Sequence, residues 1–383
     1  MFNIVEDVFT QMAFKINIAI RFTSIGIVIG LSVVLSLLLS EGYLRLTHYQ
    51  MKDVFWQFAV CCKYRIDPDL IYSSLPNYDG FTQAWSVRER SDDSTFRYDP
   101  IHSHEGDVTI LFIGDSFTYG HGVPDDMTYP FLVGNFASDL NVNVGIFNAG
   151  VPGYSFSQEY LYLKRLLRTH HPDIVIWSLE MWDLSNPLTN SLLYEQHGKI
   201  HARSAIFNGI YLQGLLRNIL GKRFPNSRLL NLIAYALQYD GYKGNERRYI
   251  ETREKMLNLF PKIVADSYRI AESENFDLYF ILVPDKDFAL RGIDPDDLPD
   301  YQVIDRTLRL YEPYYLDAHR EFLRELDETG HSVLGVNASD ETNETCGNGN
   351  FVMQDLFLPG DVHLDALGNK VLACMVFHHI FHR

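Results

Sequence analysis

The residues best suited to chemistry sit in ILFIGDSFTYGHGV, positions 110–123. An apolar run leads straight into Gly114-Asp115-Ser116-Phe117, and a helix-compatible stretch follows. In open α/β sheets the active site lies at the carboxyl ends of the strands. A serine at that point stands at the top of the sheet beside a helix N-terminus, where its own N–H can face a developing oxyanion. Gly114 permits the tight turn. A serine hydroxyl becomes a nucleophile only with a base beside it. The candidate base is His363, in FLPGDVHLDALGNKVLA (357–373), just ahead of a C-terminal helix. A neutral imidazole there can accept the serine proton and return it to the leaving group. Asp361 is the candidate orienter of His363 through the other ring nitrogen, with Asp365 as the fallback. A Gly-Asp-Ser turn alone is weak, and a lone histidine is more often structural. The preceding strand and the chain order, serine first and histidine last, carry the reading.

The elements that must position these groups follow from the pattern around them. Short β-rich runs cover 108–115, 142–150, 173–181, 276–284 and 331–339. Amphipathic stretches separate them at 157–170, 254–274 and 303–328, and a last helix spans about 366–381. Strands alternating with helices predict a parallel sheet covered on both faces, whose strands read as continuous apolar runs. The stretch 184–253 breaks this rhythm and is too long for a simple connection. LLRNILGKR and LLNLIAYALQY within it have helical spacing, so it reads as a helical cap beside the site. Residues 41–105 read as a juxtamembrane segment without a clear pattern.

GDSFTYGHGVPDDMTYPFLV followed by FNAGVPGYSFSQEY resembles the first two blocks of the SGNH/GDSL hydrolases, and the resemblance covers about residues 106–383. It implies a flavodoxin-like three-layer α/β sandwich with a five-stranded parallel sheet, and hydrolysis of esters or thioesters without a cofactor. By resemblance, the spacing in FNAGVPGYS assigns the second oxyanion donor to Gly153, with Gly150 and Pro152 shaping the turn. The sequence HLDALG resembles the family's final block, although the family spacing Asp-x-x-His is Asp-x-His here.

The third block departs from the family, which has Gly-x-Asn-Asp at the end of the third strand. Here Trp182 falls at the Asn position and Asp183 at the Asp. Losing one oxyanion donor costs about 2.7–4 kcal/mol. The Trp182 indole N–H, Asn186 or Asn190 could substitute, while Glu180 adds a carboxylate that disfavours an oxyanion unless paired. Slow catalysis, a rewired oxyanion hole and a catalytically inactive relative all remain open. The expected catalytic set is Ser116, His363 and Asp361; the expected oxyanion and substrate-binding set is Gly153, Trp182, Asp183 and Asp115.

From Phe22 to Ser40 the chain carries no charge and no proline, long enough at ~1.5 Å per residue to cross a ~30 Å hydrocarbon core. Lys15 and Arg21 precede it, which predicts a cytoplasmic N-terminus (1–21), an anchor (22–40) and a hydrolase domain (106–383) outside the cytoplasm. A cleaved signal peptide is the alternative; the run is long for one and no small-x-small site closes it. A formal net charge of -16 argues against nucleic acid as a partner. Cys61, Cys62, Cys346 and Cys374 show no zinc spacing, and Cys346 could pair with a distant partner. His170-His171 and His378-His379 with His382 read as solvated imidazoles at helix ends, and the Asp285–Asp300 run lacks the spacing of a calcium loop. Asn337 and Asn343 match the glycosylation acceptor pattern.

Together these features predict a membrane-anchored serine esterase acting on an acylated glycan or lipid of the cell envelope. An acyltransferase using the same residues is one alternative. A non-catalytic glycan-binding protein, with Trp182 stacking on a sugar, is the other.

Overall fold

The computed structural model describes residues 2–48, 63–81, 86–186, 189–208, 211–212, 215, 227–233, 246–291, 293–324, 331–333 and 350–381. Helix α1 (Phe2–Leu46) comes first. Its segment Ser24–Leu46 holds an 18-residue window of mean hydropathy 2.1 with none of that window buried, so it is long and apolar enough to cross a membrane. Two short antiparallel hairpins follow, β1 (Tyr64–Asp67) with β2 (Ile71–Ser74) and β3 (Asp79–Phe81) with β4 (Arg88–Arg90).

The main body then alternates strand and helix: β5 (Val108–Ile113), α2 (Tyr129–Asp139), β6 (Val144–Asn148), α3 (Phe156–Leu166) and β7 (Ile174–Leu179). A hairpin of β8 (Leu193–Gln196) and β9 (Lys199–Ala202) intervenes. Next come α4 (Glu246–Glu274), β10 (Asp277–Leu282), α5 (Lys286–Arg291), α6 (Pro299–Leu308), β11 (Tyr315–Asp317) and α7 (Ala318–Arg324). The chain closes with β12 (His331–Val333), β13 (Asn350–Val352) and α8 (Ala366–Phe381).

Five of these strands form one parallel sheet in the order β6-β5-β7-β10-β11. That is the doubly wound 2-1-3-4-5 arrangement, with the switch point at β5 and β7. Alternating side chains separate the two faces. Leu111, Ile113, Val175, Trp177 and Phe280 pack under α3, α4 and α6 on one side. Ile110, Phe112, Ile176, Tyr279 and Ile281 pack under α2, α7 and α8 on the other. Both faces are covered, so each strand is buried along nearly its whole length, which is why it reads as an apolar run without polar alternation.

The structure differs from the sequence reading in several places. The fifth sheet strand is β11, inside the stretch read as one helix over 303–328. Pro313 explains the break, because proline lacks an N–H, clashes with the preceding helical turn and steers its predecessor out of the α region. Residues 331–333, read as a sheet strand, pair instead with Asn350–Val352 in a separate antiparallel ribbon. The predicted helical cap over 184–253 contains the β8–β9 hairpin, whose turn carries Gly198 at φ 74. The helical residues 228–233 within it touch the C-terminal end of α1. Glu41 accepts hydrogen bonds from Ser227 Oγ and the Arg228 and Leu229 N–H groups, at 2.8–3.1 Å.

The segment ahead of β5 belongs to the folded body, which therefore starts ahead of residue 106. Leu70, Ile71, Tyr72 and Phe96 are fully buried in the same core as Leu111 and Trp177. Polar ties fix this layer: Arg165 grips Asp67 at 2.6 and 2.9 Å, and Gln158 Nε2 donates to Leu70 O at 2.6 Å. Cys374, on α8, is disulfide-bonded to a partner outside the described residues. Asn337 and Asn343 also lie outside them.

Candidate active site

Strand β5 ends at Ile113, and the chain turns sharply through Gly114. A Cβ at Gly114 would lie 2.2 Å from Thr118 Oγ1 and 3.1 Å from Ser178 O, so only glycine fits without displacement. One helical turn, Ser116–Tyr119, follows; Asp115 caps it by accepting the Phe117 N–H at 2.9 Å, and Gly120 closes it in the left-handed region. The back of the turn is held by Thr118 Oγ1, 3.2 Å from Tyr129 Oη, which in turn lies 2.5 Å from Ser178 Oγ. Ser116 is thereby fixed at the carboxyl end of β5.

The loop before α8 brings His363 to it. His363 Nε2 lies 2.7 Å from Ser116 Oγ, although 247 positions separate the two residues. The other ring nitrogen, Nδ1, is hydrogen-bonded to Asp361 Oδ1, which also accepts the His363 backbone N–H at 3.0 Å. The short Asp-x-His spacing therefore closes a local clamp. Burial raises the Asp361 carboxyl pKa, but the two bonds from His363 outweigh it and hold it down to about 2. Asp365, the fallback orienter, accepts the Gly368 N–H at 2.8 Å and caps α8. The loop is tied to the sheet edge by Lys286, whose Nζ donates to Leu358 O at 3.1 Å and Asp361 O at 2.5 Å.

Gly153 lies in the neighbouring loop at φ 77, a left-handed conformation that favours glycine. The loop is pinned from both sides. Val151 N–H donates to Gly114 O at 3.0 Å, and Tyr72 Oη donates to Pro152 O at 2.9 Å. Tyr154 Oη donates to Tyr72 O at 2.8 Å, so the layer preceding β5 braces the proposed oxyanion glycine.

The third block forms a capped 3₁₀ turn, Met181–Leu184. Glu180 accepts the Trp182 N–H and Asp183 accepts the Glu180 N–H, each at 2.7 Å. Asp183 is buried. Asn190, weighed as a substitute donor, instead donates to Asp183 O at 2.6 Å and accepts the Ser157 N–H at 3.3 Å. Burial, then Asp285, pushes Glu180 well above the carboxylate range; burial and neighbouring acids do the same to Asp183. The rise works against the charged form of Glu180, the form that would oppose an oxyanion. The Trp182 side chain points outward and is 58 % exposed. Asp115 is buried with one oxygen 3.2 Å from Ser116 Oγ; burial raises its pKa, and the Phe117 N–H and His363 offset the rise only in part.

Sequence reasoning missed His121. Its ring centroid lies 5.0 Å from that of His363, at an interplanar angle of 68°. The only signal was its place within GDSFTYGH, five residues past Ser116, where the chain returns from the turn. It missed Lys286 as well, which nothing in the pattern of VPDKDF distinguishes.

No family model and no curated protein matches this chain. Several solved structures are similar to it. One is the acetyl xylan esterase AlAXEase, 14% identical, covering 72% of this chain and 100% of its own, with a TM-score of 0.37. Another is the psychrotrophic esterase EstA from Pseudoalteromonas sp., 12% identical over 72% of this chain and 97% of its own, TM-score 0.37. A third is a catalytic mutant of Axe2, an acetylxylan esterase from Geobacillus stearothermophilus, 13% identical over 73% and 96%, TM-score 0.35. These likenesses concern the layout of the fold alone. The α/β sandwich and its strand order are read from this chain's own strand pairing.

Proposed function

We propose that this chain is a membrane-anchored serine ester hydrolase of the SGNH/GDSL type, with Ser116 as nucleophile, His363 as base and Asp361 as orienter. The observation that carries this reading is the continuous relay from the Asp361 carboxylate through His363 to Ser116 Oγ, with 2.7 Å at its last link. Such a relay lets the imidazole take the serine proton as the hydroxyl attacks an ester carbonyl, then hand it to the leaving alkoxide. Gly153 N–H and the Ser116 N–H are the proposed oxyanion donors. The exposed indole of Trp182 supports an acylated sugar as substrate, because an aromatic face can stack on a pyranose ring.

The apolar segment Ser24–Leu46 supports an anchor, and the Cys374 disulfide supports a domain outside the reducing cytoplasm. The same residues would serve acyl transfer to a sugar hydroxyl in place of water. The intact relay weighs against the purely binding alternative. The test is covalent labelling of the full chain in detergent by a fluorophosphonate. Stoichiometric labelling that is lost in Ser116→Ala is the expected result; a wild-type chain that resists the probe refutes the proposal.

A further inference from the structure

The geometry points to a second binding site on this chain: a basic recess between α3, α4 and the β8–β9 hairpin that holds a segment of an anionic glycan. The choice of a glycan rests on the esterase reading; anion binding at the recess stands apart from it.

Three elements distant in sequence supply the walls. Lys164 comes from α3, Lys199 from the hairpin, and Lys262 and Arg269 from α4. They line a recess of about 710 Å³, within the ~300–1,000 Å³ range of small-ligand sites. Glu195 and Asp266 are the carboxylates of the same walls, so four cations face two anions and an excess of two positive charges remains. The chain as a whole has the opposite sign, with a formal net charge of -16.

The pairing within the recess separates the charges that brace it from those left over. Lys262 Nζ lies 2.5 Å from Glu195 Oε2, which ties α4 to β8. Arg269 Nη2 lies 2.6 Å from Asp266 Oδ1, and Asp266 also accepts the Tyr160 hydroxyl from α3. Both carboxylates are thus engaged in holding the walls together. Lys164 Nζ donates to the Tyr160 hydroxyl at 3.3 Å and stands 5.0 Å from the centroid of that ring. Among the described residues, neither Lys164 nor Lys199 has a carboxylate partner, and both are exposed.

Two unpaired ammonium groups beside two further cations repel one another until an anion enters between them. One exposed ion pair is worth little, but several anions on one polymer act together. The charges line a concavity, which suits a chain lying within it better than a flat lipid surface. The position also favours a glycan. Helix α3 starts at Phe156, three residues past Gly153, and Lys164 lies about 12 Å further along its axis. One wall of the recess is therefore about two turns of helix from the proposed oxyanion loop, a spacing that an extended oligosaccharide covers.

The test is titration calorimetry on the full chain in detergent. The probes are tetragalacturonate and the same tetrasaccharide with its carboxylates reduced to alcohols. The acidic probe should bind at least tenfold more tightly than the neutral one, and its affinity should fall severalfold between about 50 mM and about 500 mM salt. Lys164→Glu with Lys199→Glu should weaken the acidic probe by about tenfold or more. Lys370→Glu, on α8 across the sheet, should change it by less than about twofold, because distant exposed charges are screened.

The inference is overturned if the acidic probe does not bind, if both tetrasaccharides bind alike, or if acidic binding survives the double reversal. Lys199→Glu alone, at an exposed hairpin position, decides the last point should the double variant fail to fold. Equal affinity for tetraglutamate, or tighter binding of glycerol 3-phosphate, overturns the glycan in favour of an acidic peptide or a lipid headgroup. Fluorophosphonate labelling of the same preparation separates the two levels. Binding without labelling keeps the recess and removes the esterase reading; labelling without binding does the reverse.

Discussion

Replacing Gly114 by alanine tests whether the nucleophile turn is as tightly built as its geometry implies. The new Cβ would sit 2.2 Å from Thr118 Oγ1, 3.0 Å from Thr118 Cβ and 3.1 Å from Ser178 O. Ordinary contact begins near 3.4 Å, so something must move by roughly 1 Å. Gly114 O is held by Val151 N–H, and Ser178 lies within the paired strand β7. Thr118 is fully buried and β-branched, so it cannot swing aside freely. The turn carrying Ser116 is what yields. A displacement of about 1 Å costs about 10²-fold in rate, or about 2.7 kcal/mol of transition-state stabilisation. Overpacking also destabilises the fold by about 1–3 kcal/mol.

The assay is kcat/KM for p-nitrophenyl acetate beside thermal unfolding of the full chain. Thr118→Ala added to Gly114→Ala removes the closest contact. The double variant should therefore be at least as active as the single one, despite losing the Thr118–Tyr129 hydrogen bond, a non-additivity expected of touching groups. The reasoning fails if Gly114→Ala keeps more than a third of wild-type kcat/KM, or if the second substitution only lowers activity further.

Three further outcomes follow from the site. Lys286→Met should lower kcat at least tenfold with little change in KM, and Lys286→Arg should restore part of it, because the ammonium holds the main chain at Asp361; steady-state kinetics read the split. Asp361 has a folded pKa of about 2 against the usual ~3.9, so its bonds to His363 stabilise the fold above pH ~4 and are lost as pH falls through about 2. Unfolding midpoints of wild type and Asp361→Asn should thus differ at pH 5 by less than about 2 kcal/mol, after solvent screening, and converge near pH 2. Reduction with dithiothreitol, or Cys374→Ala, should lower the unfolding midpoint by an amount equivalent to about 2–4 kcal/mol, read by calorimetry with and without reductant.

What was legible in the sequence is what local pattern encodes. Strands β5, β6, β7 and β10 announced themselves because both their faces are buried, and the turn after β5 because glycine and serine follow an apolar run. The His363 loop was legible because Asp361, His363 and the cap of α8 lie within a few residues. Strand β11 was not, since three residues at the edge of a sheet carry no period of their own and a proline-broken helix masks them. The layer formed by residues 63–105 was not legible either. Its value lies in long-range contacts, such as Tyr72 to Pro152 and Glu89 to His121, and no local pattern announces those. Trp182 shows the converse. Its motif position follows from spacing, but a donor role depends on a side-chain direction that only the capped turn around Glu180 and Asp183 fixes.

The contact between Glu41 and residues 227–229 bears on how the proposed anchor would hold the body. A slack leash would let the enzyme sweep a wide shell above the lipid and meet polymers at any height. Here Arg228 also donates to Leu44 O at 3.1 Å, so the helix end is gripped at two levels, as a lamp is bolted to its post. With α1 in a bilayer as proposed, the proposed site at Ser116 would hover at one altitude, and its substrates would be those that pass at that level.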